Sequence, residues 1–379
     1  MKNQTDTVKE GSNKESSNRG QITLSKNFVP RVISWNITSK CNLKCAHCYM
    51  DSNLKRTLGE LNTSDGKALI DQIVEVSLPM LILSGGEPLL RADVFDISKY
   101  ATDKGLRVVM GTNGTLITDR VAKKLSSSGI KAVAISIDSK SPEQHDKFRG
   151  IDNAWELAIN GIKACIRNNV EVQINTTVTK QNYDEIDGIM KLGEKLGASH
   201  FHLFFLVSTG RGIKVKDISP IKYEKKIREV LEKSQYYKLN VRPTCAPQFM
   251  RIAKQMGYEK KNRWSRGCMA GLNYCRIFPT GEVTPCPYLP IRLGNIKERN
   301  FRDIWFNSKI LLSLRNFDNL KGRCGICEFK SICGGCRARA YGLTTSFSNI
   351  CGSLHDPTEL KGDYLAEDPC CTYNPNSSE

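Results

Sequence analysis

From residue 31 to about residue 207, short runs of β-branched residues alternate with stretches in which apolar residues recur at helical spacing. Such alternation predicts a parallel sheet crossed by helices, either an open doubly wound sheet or a partial α/β barrel. Six strand–helix units are too few to close an eightfold barrel. The predicted strands are Val32–Ile37, Pro79–Leu83, Arg107–Met110, Ala132–Ile137, Glu171–Val178 and Phe201–Val207.

The same pattern divides the chain into regions. Residues 1–27 are polar and almost free of aromatic side chains, and they are predicted to form a disordered tail. Residues 28–207 form the predicted α/β domain, and residues 208–262 form a bridging region with one or two helices. From residue 263 to residue 379 the periodicity weakens and Cys, Gly and Pro become frequent. We expect a small domain there that is stapled by metal rather than by a large apolar core.

Composition narrows the class of protein. The 379 residues include 15 cysteines, many of them separated by only two or three residues, and no secretory signal precedes them. Disulfide frameworks suit small secreted chains, so metal ligation is the better interpretation. No apolar run reaches the roughly 20 residues of a membrane span, and we expect a cytoplasmic protein. The net charge of +17 suits nucleic acid, anionic lipid or an acidic small molecule, but the basic residues are dispersed as on a solvated surface.

The first predicted strand is followed directly by three cysteines, Cys41, Cys45 and Cys48. Structural zinc needs four ligands, whereas a four-iron cluster held by three cysteines leaves one iron free to bind a substrate or cofactor. In parallel α/β folds the chemistry gathers at the carboxyl ends of the strands. The polar sequences SGGEP, GTNGT, SIDS and NTTVT follow or end the next four strands. The cysteine segment and these four segments are therefore expected to meet at the carboxyl end of the sheet, which we call the mouth.

With His47 before the last cysteine and Tyr49 after it, this motif resembles the signature of the radical S-adenosylmethionine (SAM) enzymes. The resemblance implies a partial (β/α)6 TIM-like barrel, a 4Fe-4S cluster and S-adenosyl-L-methionine. In the family pattern the SGGEP segment, through its backbone and its glutamate, receives the ammonium group of SAM. Other matching positions lie beside the ribose or pair with the carboxylate of SAM. The implied cofactor-binding residues are Gly85, Gly86, Glu87, Ser136, Asp138, Arg149, Asn175 and Thr177.

The C-terminal cysteines are similar to the SPASM extension of radical enzymes, which holds one or two auxiliary 4Fe-4S clusters. By family pattern, one cluster is ligated by Cys268, Cys275, Cys286 and Cys336. A second is ligated by Cys324, Cys327, Cys333 and a late cysteine. We expect Cys371 as that last ligand, with Cys370 and Cys351 as alternatives, the latter within an insertion at residues 344–361. The short gap in CGGC leaves the number of clusters open, and a pair of zinc knuckles is the competing interpretation.

Four further positions carry expectations of their own. Cys165 lies on a helical pattern and is expected to be a buried small residue. His200 and His202 alternate on a strand and are expected to be packed core residues. Arg211, in the sequence STGRG, is the candidate for binding substrate carboxylates. The sequence around Cys245 does not assign it a role.

Within the family, the segments ILSGGEPLLR, INTTVTKQN, FHLFFLVSTGRG, CPYLP and KGDYLAEDPCC most resemble the haem-biosynthesis branch. The nearest family by this resemblance is that of Fe-coproporphyrin III synthase, the haem synthase of the sirohaem-dependent route. It implies oxidative decarboxylation of two propionates of Fe-coproporphyrin III to vinyl groups, forming protohaem, with a flavodoxin or ferredoxin-type reductant. Two alternatives stay open: a radical SAM/SPASM maturase that modifies peptides, and a zinc and nucleic-acid binding protein.

Overall fold

The computed structural model describes residues 28–258, 266–345 and 362–376. The predicted tail at residues 1–27, Cys351 and most of the insertion at residues 344–361 lie outside the described residues. Within them, ten strands form one sheet in the order β10-β9-β8-β1-β2-β3-β4-β5-β6-β7. Strands β1 to β7 and β8 pair in parallel, and β8, β9 and β10 pair in antiparallel fashion. The strands are β1 Val32–Thr38, β2 Met80–Gly85, β3 Arg107–Thr112, β4 Ala132–Ser136, β5 Glu171–Val178, β6 His200–Phe205, β7 Asn240–Thr244, β8 Tyr274–Ile277, β9 Glu282–Thr284 and β10 Gly294–Asn295.

Helices follow each of the first six strands, so the predicted partial (β/α)6 barrel is confirmed. Their N-termini are closed by polar side chains, as at Asn62, which forms a reciprocal capping box with Asp65. The helices are α1 Thr63–Val74, α2 Val94–Asp103, α3 Asp119–Ser127, α4 Pro142–Arg149, α5 Ala154–Arg167, α6 Ile186–Lys195, α7 Pro220–Lys233, α8 Phe249–Gln255, α9 Phe301–Asn307, α10 Lys309–Arg315, α11 Gly322–Ile326 and α12 Arg337–Thr344.

The two faces of the sheet differ in character. Outward-facing side chains such as Ile33, Leu83 and Ile174 are fully buried under the helices. The residues between them point to the opposite face, which is mostly half-buried and polar on β4 to β7. We call this second face the concave face. Because successive strand residues alternate sides, an apolar outer layer and a polar inner surface arise from the same short strands.

A seventh parallel strand, β7, lies in the region for which the sequence predicts only helices. It is the last strand of the sheet and pairs with β6. Its sequence NVRPT contains Pro243, which argues against a central strand but is accepted at the edge of a sheet. The C-terminal region also joins the barrel, because β8 pairs with β1 along Val32 to Trp35.

None of the helices in the described residues has both the length and the apolar character that crossing a membrane requires.

Candidate functional site

Residues 39–53, which follow β1 and carry Cys41, Cys45 and Cys48, form the cluster loop. Backbone hydrogen bonds fasten it at several points: the Cys41 amide donates to the Asn53 carbonyl at 2.7 Å, and the Ala46 amide donates to the Phe148 carbonyl at 2.9 Å. The ring of His47 stacks on Phe148 with centroids 4.5 Å apart. The loop is thus held against the last turn of α4 by its backbone and by one aromatic contact.

The three thiols of the cluster loop influence one another. Burial raises the pKa of Cys41 to about 12, and the charges of Glu87, Cys45 and Cys48 act in the same direction. Burial likewise raises the pKa of Cys45, whereas the charge of Arg149 opposes the shift. Thiolates in this setting need a positive partner, and bound iron provides one. The donor set therefore fits a cluster held by three cysteines.

Gly85 and Gly86 let the end of β2 pass against the cluster loop. A Cβ on Gly85 would lie 2.3 Å from the Thr38 carbonyl oxygen, and one on Gly86 would lie 2.2 Å from the Lys40 carbonyl oxygen. The Gly86 amide donates to Thr38 and the Glu87 amide donates to Lys40, both at 2.8 Å. The glycines are therefore required by this backbone contact. Both remain half-buried, so their own backbone still offers polar atoms at the mouth.

Glu87 differs from the expectation that its side chain meets the ammonium group of SAM. The residue has no exposed surface, and its carboxylate accepts hydrogen bonds from the Thr112 hydroxyl, the Asn113 amide and the Leu89 amide at 2.8, 2.8 and 3.2 Å. Burial raises its pKa to about 7 although these donors oppose the shift. The fully covered carboxylate therefore ties the ends of β2 and β3 together.

Asp138 and Arg149 form a buried ion pair beside the cluster loop. Arg149 Nε donates to Asp138 Oδ2 at 2.7 Å, and its Nη1 lies 3.7 Å from the Sγ of Cys45. Burial alone would raise the pKa of Asp138, but the charge of Arg149 holds it below its usual range. The family pattern predicts a ribose contact for Asp138 and a carboxylate contact for Arg149. Here Asp138 is 2% exposed and Arg149 is 6% exposed. The two residues bind each other because a buried guanidinium needs a counterion.

Ser136, Asn175 and Thr177 lie on the concave face, as a role at the mouth requires. Ser136 and Asn175 are partners in the register of β4 and β5. Asn175 Oδ1 accepts a hydrogen bond from Gln173 at 2.6 Å, and the Thr177 amide donates to Asp138 at 2.8 Å. The carboxyl ends of β1 to β5 thus bring the predicted residues to one edge of the sheet.

Arg211 is hydrogen-bonded to the cluster loop. Its Nε donates to the Cys45 carbonyl at 2.8 Å, its Nη1 donates to Asp51 at 2.6 Å, and its amide donates to the Cys48 carbonyl at 2.9 Å. Neighbouring Gly210 has φ +55°, and a Cβ there would lie 2.5 Å from the Cys48 carbonyl oxygen. The sequence STGRG therefore fastens the cluster loop, and the predicted role of Arg211 in binding carboxylates stays a prediction.

Four cysteines from distant parts of the chain meet beyond the end of β7. Burial raises the pKa of Cys245 to about 12, and the nearby charges of Cys336 and Cys268 add to the shift. Burial raises the pKa of Cys286, and the nearby charges of Cys336, Cys268 and Cys245 add to the shift. We call Cys245, Cys268, Cys286 and Cys336 the first auxiliary group. Cys245 was not assigned by the sequence, because it lies outside the spaced motif and reaches the group only through β7.

Cys275 was predicted in this group, but the structure places it on the other face of the sheet. It lies on β8 paired with Ile33, on the outward face that packs under the helices, and it is fully buried. Burial raises its pKa, and the one charge that opposes the shift is that of Arg315 on α10. Cys275 is two residues from Ile277 in a strand, so the alternation in YCRI was the signal for an outward position.

Cys324, Cys327, Cys333 and Cys371 form the second auxiliary group, which lines a cavity with an empty volume of about 440 Å³ counting its open mouth. A Cβ on Gly335 would lie 2.9 Å from the Sγ of Cys324, so a side chain there would fill the cradle. Among the described cysteines, Cys371 is thus the late member of this group. Cys370 instead lies near Arg339, Asp368 and Cys336.

Asp368 links the two auxiliary groups and was missed by the sequence analysis. Its carboxylate accepts hydrogen bonds from the Cys336 amide at 2.6 Å and from Gln248 at 2.8 Å. Its amide donates to the Sγ of Cys324 at 3.4 Å. The residue has no exposed surface. One buried residue therefore joins the backbone of Cys336 in the first group to the thiol of Cys324 in the second.

The three residues predicted to lie in the core, Cys165, His200 and His202, differ in burial. Cys165 is fully buried within the helix-covered core, as predicted. His200 and His202 lie half-buried on the concave face rather than in the packed core, so that prediction was wrong. Across the described ranges, no three His, Cys, Asp or Glu side chains are gathered as closely as a single metal ion requires.

Comparison with known proteins identifies both parts of the chain. The Radical SAM superfamily matches residues 35–193, and an iron-sulfur cluster-binding SPASM domain matches residues 268–337. The AdoMet-dependent heme synthase of Methanosarcina barkeri is 42% identical over 92% of this chain and 97% of its own length. That of Nitratidesulfovibrio vulgaris is 38% identical over 91% and 93%.

Two names that the sequence resemblance treats as one belong to separate proteins. The Fe-coproporphyrin III synthase of Methanosarcina barkeri is 30% identical to this chain, covering 92% of it and 89% of that relative. The chain is more similar to the heme synthase of that organism.

Solved structures share the fold. Streptococcus suis SuiB bound to S-adenosylmethionine matches with a TM-score of 0.73 at 17% identity, covering 94% of this chain and 82% of its own. Native anSMEcpe with bound AdoMet matches with a TM-score of 0.63 at 18% identity, covering 88% and 93%.

Proposed function

Because the chain belongs to the radical SAM enzymes that carry a SPASM domain, in the group of the AdoMet-dependent heme synthases, we propose that it decarboxylates two propionates of Fe-coproporphyrin III to vinyl groups, forming protohaem. The observation that carries the proposal is the 42% identity to a heme synthase over 97% of that relative's length. It covers the barrel, the bridging region and the cysteine-rich domain together.

Each turnover converts one propionate and balances as follows. The side chain –CH2–CH2–COO⁻ loses one hydrogen atom, one carbon dioxide and one electron, and a vinyl group remains. One electron enters from an external reductant and cleaves SAM, which leaves as methionine and 5′-deoxyadenosine carrying that hydrogen atom. One electron enters and one leaves, so there is no net demand for external electrons. The two-electron oxidation of the propionate is matched by the reduction of SAM to methionine and 5′-deoxyadenosine, and two SAM are consumed per haem.

When bound, SAM and the cluster of the three-cysteine loop would supply the radical chemistry, and an auxiliary cluster would supply an acceptor for the departing electron. Cys41, Cys45 and Cys48 would hold the first cluster. The first auxiliary group and the second auxiliary group each offer four thiols for the others.

The chain's own residues position and shield the reaction. The backbone of Gly85 and Gly86 lies at the mouth for the amino acid end of SAM, and Ser136 and Asn175 lie on the concave face for its ribose. Arg149 holds the Cys45 sulfur, and Arg211 holds the loop around it. Together these contacts would hold the three thiols of the cluster loop in place for the cluster.

The aromatic residues between the cluster loop and the first auxiliary group support a flat substrate. Tyr49, directly after Cys48, lies edge-to-face with Tyr288 at 5.4 Å between centroids. Arg276 stacks on Tyr49 at 4.8 Å. Tyr288 lies near Cys286 and Cys245, so these rings span from one thiol set to the other. A macrocycle seated here would lie between the radical source and the electron acceptor.

The test is anaerobic incubation of the reconstituted enzyme with SAM, dithionite and Fe-coproporphyrin III, read by mass spectrometry. We expect two successive decreases of about 46 mass units, because each neutral propionic acid side chain loses one carbon dioxide and two hydrogen atoms. Formation of 5′-deoxyadenosine without any change in the porphyrin would contradict the proposal.

A peptide-modifying maturase is the competing proposal. The observation that favours it is the edge strand β7, which ends the sheet within the described residues and offers backbone groups to an added strand. Pro243 removes one donor from that edge. A peptide substrate would show as tight binding of a precursor peptide and none of Fe-coproporphyrin III. The zinc and nucleic-acid binding interpretation is set aside, because the chain belongs to an enzyme family.

A further inference from the structure

Four polar residues form a row across the concave face. The register of adjacent strands pairs Ser136 with Asn175, Asn175 with His202, and His202 with Arg242. All four are half-buried on the side of the sheet that the helices leave uncovered. The row therefore runs from the ribose side of the predicted SAM site to the edge strand β7.

Arg242 ends this row without an acidic partner in the described part of the chain. Its Nη2 lies 3.8 Å from the Sδ of Met269, and its Nε is buried with no hydrogen-bond acceptor. Burial lowers its pKa, and the group that opposes the shift is the Cys245 thiol. Three other buried arginines nearby have different partners: Arg149 pairs with Asp138, Arg339 donates to backbone carbonyls, and Arg276 donates to the Pro287 carbonyl and stacks on aromatic rings.

An unpaired guanidinium in a half-buried site is costly, because it loses hydration without gaining a counterion. Nearby His202 supplies no negative charge. Burial lowers its pKa to about 3, and Arg242 and His200 push it in the same direction, so the imidazole is neutral near pH 7. A neutral imidazole beside an arginine can donate one further hydrogen bond to the same anion. The missing partner is therefore an anion that comes from outside the chain.

The opposite side of the concave face supplies a surface for a flat ligand. Arg276, on β8, is almost fully buried and lies over the rings of Phe278 at 3.7 Å and Tyr49 at 4.8 Å. Tyr288 lies within electrostatic range of Cys245, which directly follows β7. The two sides of the concave face therefore approach each other here, with aromatic rings on one and Arg242 on the other.

We propose that Arg242, assisted by His202, binds a carboxylate of the substrate on the concave face and so orients the macrocycle against the aromatic side. The identity of the ligand rests on the proposed function: a flat iron tetrapyrrole with four carboxylates. The guanidinium fork accepts a carboxylate in two parallel hydrogen bonds, which fixes the orientation of the ligand as well as its charge. Arg242 is a specificity-determining residue in this assignment.

The experiment is an anaerobic absorbance titration of the reconstituted enzyme with Fe-coproporphyrin III, comparing the parent with Arg242→Gln and Arg242→Lys. We expect a dissociation constant at least tenfold higher for Arg242→Gln and a smaller increase for Arg242→Lys, because lysine keeps the charge but not the fork. The matched control is Arg167→Gln, which removes an exposed arginine paired with Asp119 on the outer helices. Its dissociation constant should equal that of the parent.

Two further readouts separate the possible failures. SAM cleavage in the absence of porphyrin should match the parent in all three variants, because the described hydrogen bonds that fasten the cluster loop come from Arg149, Arg211 and backbone groups rather than from Arg242. An equal affinity of Arg242→Gln and the parent would overturn the assignment of Arg242 and leave the proposed function standing. No measurable affinity of the parent for Fe-coproporphyrin III would overturn the proposed function, and the assignment of Arg242 with it.

Discussion

The guanidinium of Arg149 lies between the carboxylate of Asp138 and the thiol of Cys45. Its Nε is 2.7 Å from Asp138 Oδ2, and its Nη1 is 3.7 Å from the Cys45 Sγ. The end of β4 is thereby coupled to the cluster loop through one buried side chain. The arrangement places a positive charge beside a sulfur that must bind iron as a thiolate, which favours the deprotonated form.

The first prediction concerns this pair. Asp138→Asn should leave Arg149 buried without a counterion and destabilise the fold by about 3 to 5 kcal/mol. The double variant Asp138→Asn with Arg149→Met should recover part of the lost stability. Its SAM cleavage should still be lower than that of the parent, because Arg149 no longer contacts the Cys45 sulfur. Denaturant unfolding and 5′-deoxyadenosine formation measure the two effects separately. Unchanged stability of Asp138→Asn would contradict the structural role of the pair.

The second prediction distinguishes Cys245 from Cys275. Cys245→Ala should lower iron and sulfide by about one cluster per chain, because Cys245 belongs to the first auxiliary group. Cys275→Ala should keep the full content, since Cys275 lies in the apolar layer, and should only destabilise the fold modestly by opening a small cavity. Iron and sulfide analysis with electron paramagnetic resonance of the reduced protein decides between them. Loss of a cluster in Cys275→Ala alone would restore the family-based assignment.

The third prediction separates Cys371 from its neighbour Cys370. Cys371→Ser should lose the cluster of the second auxiliary group and, with it, porphyrin product, while 5′-deoxyadenosine is still formed. Reductive cleavage of SAM needs only the three-cysteine loop, whereas the product also needs an electron acceptor. Cys370→Ser is the matched control and should keep its iron content. A normal yield of protohaem from Cys371→Ser would show that the second auxiliary group is dispensable.

The fold was largely predictable from local patterns. Six of the seven barrel strands are β-branched runs such as Glu171–Val178, whose alternation is visible in the sequence. β7 was missed because Pro243 argues against a strand, and only its position at the edge of the sheet makes the proline acceptable. The cluster loop was found because Cys41, Cys45 and Cys48 are adjacent in sequence and follow a strand.

The site was less predictable where it depends on long-range contacts. No spacing rule connects Cys245 to Cys268, Cys286 and Cys336, since the sheet brings them together. Likewise the sequence does not reveal that Arg211 donates hydrogen bonds to carbonyls of the cluster loop. Nor does it reveal that Arg242 has no acidic partner among the described residues. Such facts depend on which donors find acceptors, and that is decided by tertiary packing.

The fourth prediction follows from the position of Arg211. Arg211→Ala should release the Cys45 carbonyl and the segment around Asp51, so SAM cleavage should fall about tenfold or more through loosening of the cluster loop. The affinity for Fe-coproporphyrin III should change far less than in Arg242→Gln. Parallel measurement of 5′-deoxyadenosine formation and porphyrin affinity in the two variants gives opposite patterns if both assignments hold. A large loss of porphyrin affinity with normal cleavage would return Arg211 to the substrate site.

The fifth prediction concerns pH and Glu224, which anchors the C-terminal segment that carries Cys371. Glu224 accepts hydrogen bonds from Arg251 at 2.8 Å and from the hydroxyl of Thr372. Burial alone would raise its pKa, but these partners hold it at about 2, below the ordinary value of 4.5. A depressed carboxyl pKa contributes stability above pH 4.5, and that contribution is lost as the pH falls toward 2.

Glu224→Gln should therefore be less stable than the parent by about 1 to 3 kcal/mol at neutral pH, discounted for the partial exposure of the side chain. The difference should stay constant between pH 6 and 8, where the group is ionised in both folded and unfolded chains, and should shrink below pH 4.5. Denaturant unfolding at pH 8, 6 and 4 measures it, with Glu232→Gln, on the same helix, as the control. A difference that grows as the pH falls would mean that Glu224 is not held in its charged form by Arg251.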